Sequence, residues 1–137
     1  MIDPSVVDVI LFDFAKAFDV VDHRILLSKL RLIGLGGNVI SWLESFLCNR
    51  RMYVSVGGAK STSTEVTSGV PQGSVLGPLL FLIHVNFLPS YIRNRCKIFA
   101  DDLKLYLKIR AFSIASFGRG ISSCQRDIDR IVLVAES

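Results

Sequence analysis

The chain has 137 residues, three cysteines, four prolines and no long apolar run. Cys48, Cys96 and Cys124 are an odd, widely spaced set with no CxxC pair. That pattern excludes a disulfide framework and does not resemble a zinc site, so the thiols read as buried or incidental in a reducing compartment. The longest uncharged stretch, 66–92, is interrupted by Pro71, Gln72, Gly73, Pro78, His84 and Asn86. Its dense apolar part, Val75 to Val85, is shorter than the roughly 20 residues of a membrane-spanning helix. The opening MIDPSVVDVILFDF has no basic segment ahead of its apolar one, which argues against a signal peptide. The expectation is an intracellular protein of the cytoplasm or nucleus, with no membrane partner. There is no internal repeat, no low-complexity segment, no P-loop, no GxGxxG and no HExxH. No nucleophile elbow lies near His23 or His84, so a hydrolase triad is unsupported.

What is present is apolar and unevenly charged. Half the residues are hydrophobic and a fifth are charged, which fits one folded domain with a real core and not a disordered chain. The net charge is +4. Residues 1–23 carry Asp3, Asp8, Asp13, Asp19 and Asp22 against Lys16 alone, while the remainder carries fifteen basic residues against seven acidic. An acidic start within a basic body fits a carboxylate site set in a surface for a polyanion, nucleic acid included.

The apolar pattern places the elements. VVDVILFDF at 6–14 reads as a buried strand. Asp22 caps a helix beginning near His23, with Ile25, Leu26, Leu30 and Ile33 at helical spacing and Gly34 as its stop. A second helix follows Gly36-Gly37-Asn38. MYVSV at 52–56 turns at Gly57-Gly58 and pairs with a strand near 63–67. Ser68–Gly73 is a Gly/Pro loop, and Val75–Leu88 reads as a buried helix. Lys97–Ala100 and Leu103–Leu107 flank Asp101-Asp102 as a tight hairpin. The segment 110–123 has no clear period, and Gln125–Glu136 reads as a last amphipathic helix. Strands alternating with helices predict an α+β or α/β sandwich.

Three carboxylates carry the chemical interest. Asp13 interrupts an apolar strand, where an unpaired charge is costly. Asp101 and Asp102 are adjacent and repel one another, which a divalent cation would relieve. If their strands are neighbours, Asp13 and Asp101 meet at one end and offer oxygen ligands to a hard cation such as Mg²⁺. Local capping and turn hydrogen bonding account for the same residues without a metal. The loop SGVPQGS at 68–74 has glycines that admit close approach, a Gln72 amide that both donates and accepts, and a helix start that favours phosphate. A plain turn with Ser74 as helix cap is the commoner origin of such a loop.

FDFAKAFDVVDH at 12–23, SGVPQGSVLGPLLFLIHVN at 68–86 and FADDLKLY at 99–106 stand in that order. Together they resemble motifs A, B and C of the reverse transcriptase palm, and most closely that of non-LTR, LINE-type retrotransposons. The segment between the first two motifs and the late CQRDIDRI are also similar to that family, so the resemblance runs from about Val9 to Ile131. It implies an α+β fold, a palm-like antiparallel sheet packed on helices, as a partial reverse transcriptase domain over 1–137. The reaction it implies is RNA-directed DNA synthesis. By the resemblance, Asp13, Asp101 and Asp102 are the catalytic carboxylates. Asp13 and Asp101 would hold two Mg²⁺ ions (or Mn²⁺), Asp102 would support the site, and the Phe14 backbone would lie at the metal and triphosphate. Phe18 would screen the sugar 2′ position of a dNTP. Gln72 would contact that nucleotide, with Pro71 and Gly73 shaping the loop. RNA template and DNA primer are the implied partners. Lys16 faces either phosphate or solvent, and Arg50 and Arg51 read as solvated charge.

Two positions depart from the family pattern: Phe99 stands where tyrosine is usual, and Phe87 where an aspartate is. The matched motifs begin at A and end before the D region, so fingers and thumb are expected outside this chain as further segments of a larger polyprotein. Two readings follow: a polymerase palm, or a catalytically inactive, truncated retrotransposon remnant with weak nucleic-acid binding. A metal-dependent phosphatase or nuclease would use similar carboxylates but leaves the Gly/Pro loop unexplained.

Overall fold

A computed structural model describes residues 5–110 and 114–135. Asp3 and the expected helix end at Glu136 lie outside them. In chain order the elements are β1 (Ser5–Asp13), α1 (His23–Leu32), α2 (Gly37–Leu47), β2 (Arg50–Met52), β3 (Ser55–Val56), β4 (Ala59–Lys60), β5 (Thr64–Val66), α3 (Leu76–Val85), a 3-10 turn (Leu88–Tyr91), β6 (Arg95–Phe99), β7 (Asp102–Arg110) and α4 (Ile114–Ala135). All pairings among the described strands are antiparallel, so the chain is α+β. No helix among the described residues is long and apolar enough to cross a membrane. The contacts divide the chain into two compact units, one holding the described residues up to Ala15 and from Asn86 onward, the other Lys16–Val85.

The first unit is a three-stranded sheet in the order β1-β7-β6, with α4 packed on it. Alternation along β7 sets its faces: Leu103, Leu105 and Leu107 are buried, while Lys104 and Lys108 are exposed. Leu105 and Leu107 meet Cys124 of α4, with Ile10, Phe12, Ile92, Cys96 and Ile128 around them. In α4, Cys124, Ile128 and Ile131 recur at helical spacing and supply the apolar stripe. This helix starts eleven residues before the expected Gln125, because Gly118, Gly120, Ser122 and Ser123 dilute its apolar period without stopping it. β1 is an edge strand and not the buried strand expected, since Val7, Val9 and Leu11 are exposed and only Ile10 and Phe12 turn into the core.

A buried carboxylate ties α4 to the approach to β6. Asp127 is 0% exposed. It accepts the Asn94 backbone N–H at 2.9 Å, the Asn94 Nδ2 at 2.7 Å and the Arg93 N–H at 3.1 Å, and it pairs with Arg130 at 3.3 Å. Burial pushes its pKa up, but the Asn94 and Arg93 backbone donors, the Asn94 side chain and the Arg130 charge outweigh this and hold it below the usual carboxylate value. Burial likewise raises the Cys96 and Cys124 thiols, both free cysteines.

The second unit packs α1 against α2 and α3, with Leu26, Leu30, Leu43, Leu47, Leu80 and Phe81 buried. Asp22 caps α1 by accepting from Arg24 N at 2.7 Å and Ile25 N at 3.1 Å, and Gly34 at φ +95° follows its C-terminus. α3 is shorter and more exposed than expected: Val75 precedes it at 94% exposure, and only one face is buried. The 52–67 region forms two small ladders instead of one. Val56 pairs with Ala59 around Gly57-Gly58, and Met52 pairs with Thr64. Tyr53 and Val54 thus face three residues, 61–63, and the odd residue breaks the ladder. Lys29 Nζ donates to the His84 carbonyl at 2.8 Å. Burial, and then the Lys29 charge, push His84 down to about 4.

The His84 and Asp127 shifts each make acid destabilising, in separate windows. His84 binds its proton more readily when unfolded, so stability declines from about pH 6.5 down through pH 4. Asp127 contributes stability that is present above the ordinary aspartate pKa and is lost as pH falls further. Urea melts across pH are expected to lose the upper window in His84→Leu. Asp127→Asn is expected to lose the lower one, and to cost about 2–4 kcal/mol at pH 7 because it leaves buried donors unmatched.

Candidate active site

The end of the sheet in the first unit is where the predicted carboxylates lie. The β1–β7 register sets Asp13 directly opposite Asp102, and the β6–β7 register sets Phe99 opposite Asp102 on the other side. The turn between β6 and β7 is therefore Ala100-Asp101, and Asp102 belongs to the strand. The expected Asp101-Asp102 tip is off by one residue: Asp13 and Asp101 lie at the same end of the sheet, and the residue directly opposite Asp13 is Asp102. The cause is the burial of Leu103, which fixes the phase of β7. Asp13 and Asp102 are exposed and Asp101 is half-buried. Ala100 adopts φ +54°, a left-handed conformation costly for any residue with a Cβ. Phe14 follows β1 directly and is half-buried.

Like charges directly opposite across two strands destabilise a sheet. Their retention in one corner makes chemical sense if a cation is to join them, and three carboxylates form the hard-oxygen donor set that Mg²⁺ prefers. The donor chemistry fits a divalent ion. Among the described residues, however, no three His, Cys, Asp or Glu side chains are grouped closely enough to hold a metal. The backbone register thus brings the carboxylates to one corner without closing them round a point.

The same sheet face carries other exposed groups. Lys97, Lys104 and Lys108 alternate with buried residues and so share the face of Asp13 and Asp102, as do Val9 and Leu11. Phe99, the departure from tyrosine, is 81% exposed.

The remaining predicted residues lie in the second unit. Its Gly/Pro loop is laced to the second half of the first motif. Val70 N donates to Phe18 O, Gly69 N to Val21 O and Ser68 Oγ to Asp19 O, each at 2.8 Å. Gly69 has φ +83°, and a Cβ there would lie 2.8 Å from backbone atoms of Phe18 and Asp19. Only glycine permits this approach. Gln72 Nε2 donates to Asp19 Oδ1 at 2.8 Å. Gly73 adopts φ +79°. Ser74 Oγ caps α3 by accepting from Gly77 N at 2.9 Å, and it donates to Pro71 O at 2.6 Å. Phe18 is half-buried and stacks on Phe81, with ring centroids 4.7 Å apart. Lys16 is exposed at φ +54°.

Three residues hold this loop in ways the sequence did not show. Asp19 orders Gln72. His23, buried at the start of α1, places Nε2 2.8 Å from Gly69 O and Nδ1 3.9 Å from Cys48 Sγ. Arg50, expected to be solvated, is half-buried and donates to Gly69 O at 2.6 Å and to Leu47 O at 2.7 Å. Arg51 is exposed and bound to Ser63. A histidine inside an apolar helix start was the one available signal; the partners come from residues 46 and 19 positions from Gly69.

Two substitutions check this backbone reading. Gly69→Ala is expected to cost at least about 2 kcal/mol in a denaturant melt, since both φ and space are violated. Ala100→Gly is expected to add up to about 1 kcal/mol, because it removes the left-handed penalty at the turn.

The sequence is similar to those of known proteins. The family described as Reverse transcriptase (RNA-dependent DNA polymerase) matches residues 5–115. The chain is 35% identical over 114 residues to a probable RNA-directed DNA polymerase from transposon X-element of Drosophila melanogaster, covering 80% of this chain and 12% of that protein. It is 39% identical over 114 residues to the RNA-directed DNA polymerase from mobile element jockey of the same species, covering 77% and 12%. It is 31% identical over 111 residues to the retrovirus-related Pol polyprotein from type-1 retrotransposable element R2 of Popillia japonica, covering 72% and 18%. The chain thus spans between a tenth and a fifth of the length of these relatives. On the matched residues and the relatives together, the chain belongs to the reverse transcriptase family, within the RNA-directed DNA polymerases of non-LTR retrotransposons.

Proposed function

We propose that this chain is a palm segment of an RNA-directed DNA polymerase that copies an RNA template by extending a DNA primer. The observation that carries the reading is the register that sets Asp13 opposite Asp102 with Asp101 at the adjoining turn. Lysines 97 and 104 on the same sheet face support it, since exposed cations near a carboxylate corner suit a phosphate backbone.

In the reaction, the primer 3′-oxygen attacks the α-phosphorus of a deoxynucleoside triphosphate. The bond from that phosphorus to the bridging oxygen breaks, pyrophosphate leaves, and the hydroxyl proton passes to solvent. Asp13 and Asp101, with the Phe14 backbone, would hold two Mg²⁺ ions, and Asp102 would hold the corner in place. Bound there, the ions would lower the charge on the triphosphate and favour the attacking oxygen as its alkoxide. Phe18 excludes a 2′-hydroxyl sterically, its ring fixed by Phe81. Gln72, with Pro71 and Gly73 shaping its loop, hydrogen-bonds the nucleotide. The protein's share of the work is positioning and charge compensation.

Thermal melting with and without metal tests the reading. In EDTA, Asp102→Asn is expected to melt above the unsubstituted chain, because it removes the like-charge pair with Asp13. Millimolar Mg²⁺ or Mn²⁺ is expected to raise the melting temperature of the unsubstituted chain and to leave Asp101→Asn unmoved. Equal metal shifts in both proteins would overturn the assignment. Incorporation of dTMP on poly(rA)/oligo(dT) assays the reaction directly, and any incorporation is expected to vanish in Asp101→Asn.

A further inference from the structure

We infer that Asp19 is a positioning residue that sets which atom of the Gln72 amide faces a bound ligand. The two side chains line a cleft of about 460 Å³ with Arg50, Pro71 and the Ser68–Val70 backbone. Asp19 Oδ1 lies 2.8 Å from Gln72 Nε2.

An ionised carboxylate only accepts hydrogen bonds, whereas an amide has a donating end and an accepting end. Asp19 therefore admits the NH2 of Gln72 and rejects its oxygen. The amide is held in one of its two flips, with Oε1 available to accept from a hydroxyl or amino group of a ligand in the cleft. Without Asp19 both flips are open, and a ligand would lose the pre-set acceptor.

Asp19 is itself well anchored. Its carbonyl accepts from Ser68 Oγ, its backbone lies where a Gly69 Cβ would be, and the flanking Phe18 and Val21 carbonyls accept from Val70 and Gly69. Asp19 and Gln72 thus share one scaffold, and the contact between them does not depend on a mobile chain. Arg50 is directed toward the loop backbone, with Nη2 donating to Gly69 O and Nε to Leu47 O.

That the ligand is a deoxynucleotide rests on the function proposed above; the amide orientation does not. Two measurements separate them. The first is the side-chain ¹⁵NH2 signal of Gln72 by NMR in the full chain. One strongly shifted, slowly exchanging proton is expected, and it is expected to disappear in Asp19→Ala. An unchanged signal in that variant would overturn the inference.

The second is equilibrium binding of dTTP with Mg²⁺. Asp19→Ala is expected to weaken it roughly five- to tenfold, the range of one net hydrogen bond. Asp19→Asn, which accepts through one atom but tolerates either flip, is expected to lose less. Asp19→Ala/Gln72→Ala is expected to bind like Gln72→Ala alone, since Asp19 acts through Gln72. Additive losses would overturn the inference. If the unsubstituted chain binds no dTTP, the proposed function fails, and the NMR signal still decides the role of Asp19.

Discussion

Leu103, Leu105 and Leu107 can be buried together on only one face of β7, and that constraint decides which residues of β1 share a face with which residues of β7. A slip by one residue would expose all three leucines and bury Lys104 and Lys108, an exchange costing several kcal/mol of hydrophobic burial before any charge is desolvated. With the phase fixed, Asp13 and Asp102 share the face opposite the leucines, and the register sets them directly across from one another with Ala100-Asp101 as the turn. The acidic corner is thus a by-product of core packing on the opposite face, where Cys124 and Ile128 of α4 close over the leucines.

In the second unit the corresponding constraint is backbone proximity. The Gly/Pro loop lies against Phe18–Val21 through main-chain hydrogen bonds, and Gly69 makes that approach possible. A loop fixed by its backbone leaves its side chains for other tasks. Gln72 reaches Asp19, and His23 and Arg50 both converge on the Gly69 carbonyl. Arg50 shows why a charge count misleads at single positions: a residue of a basic segment is consumed as a structural donor, whereas Lys97 and Lys104 remain on the exposed face.

Much of the architecture was legible in sequence because its signals are local. Asp22 caps α1, Gly34 follows its end and Ser74 caps α3, each through contacts within a few residues. The α4 start was not legible, since two glycines and two serines blur its period while the helix is held through its later turns by Cys124, Asp127 and Ile131. The split of the 52–67 ladder was also hidden. It depends on a mismatch of two residues against three between two pairings, visible only once both registers are known. The exposure of β1 was hidden as well, because an apolar composition does not reveal that a strand lies at a sheet edge.

Residue types at fixed spacing were enough to identify the family and to single out the three carboxylates and the Gly/Pro loop as candidates. The sequence by itself also determined that Asp13 and the adjacent Asp101 and Asp102 repel unless something joins them. Tertiary structure alone decided that Asp13 pairs with Asp102 and that Asp101 sits at the turn. It also decided that Gln72 is oriented by Asp19 from 53 residues away. Register and long-range hydrogen bonds follow from which faces are buried together, and burial belongs to the folded chain as a whole.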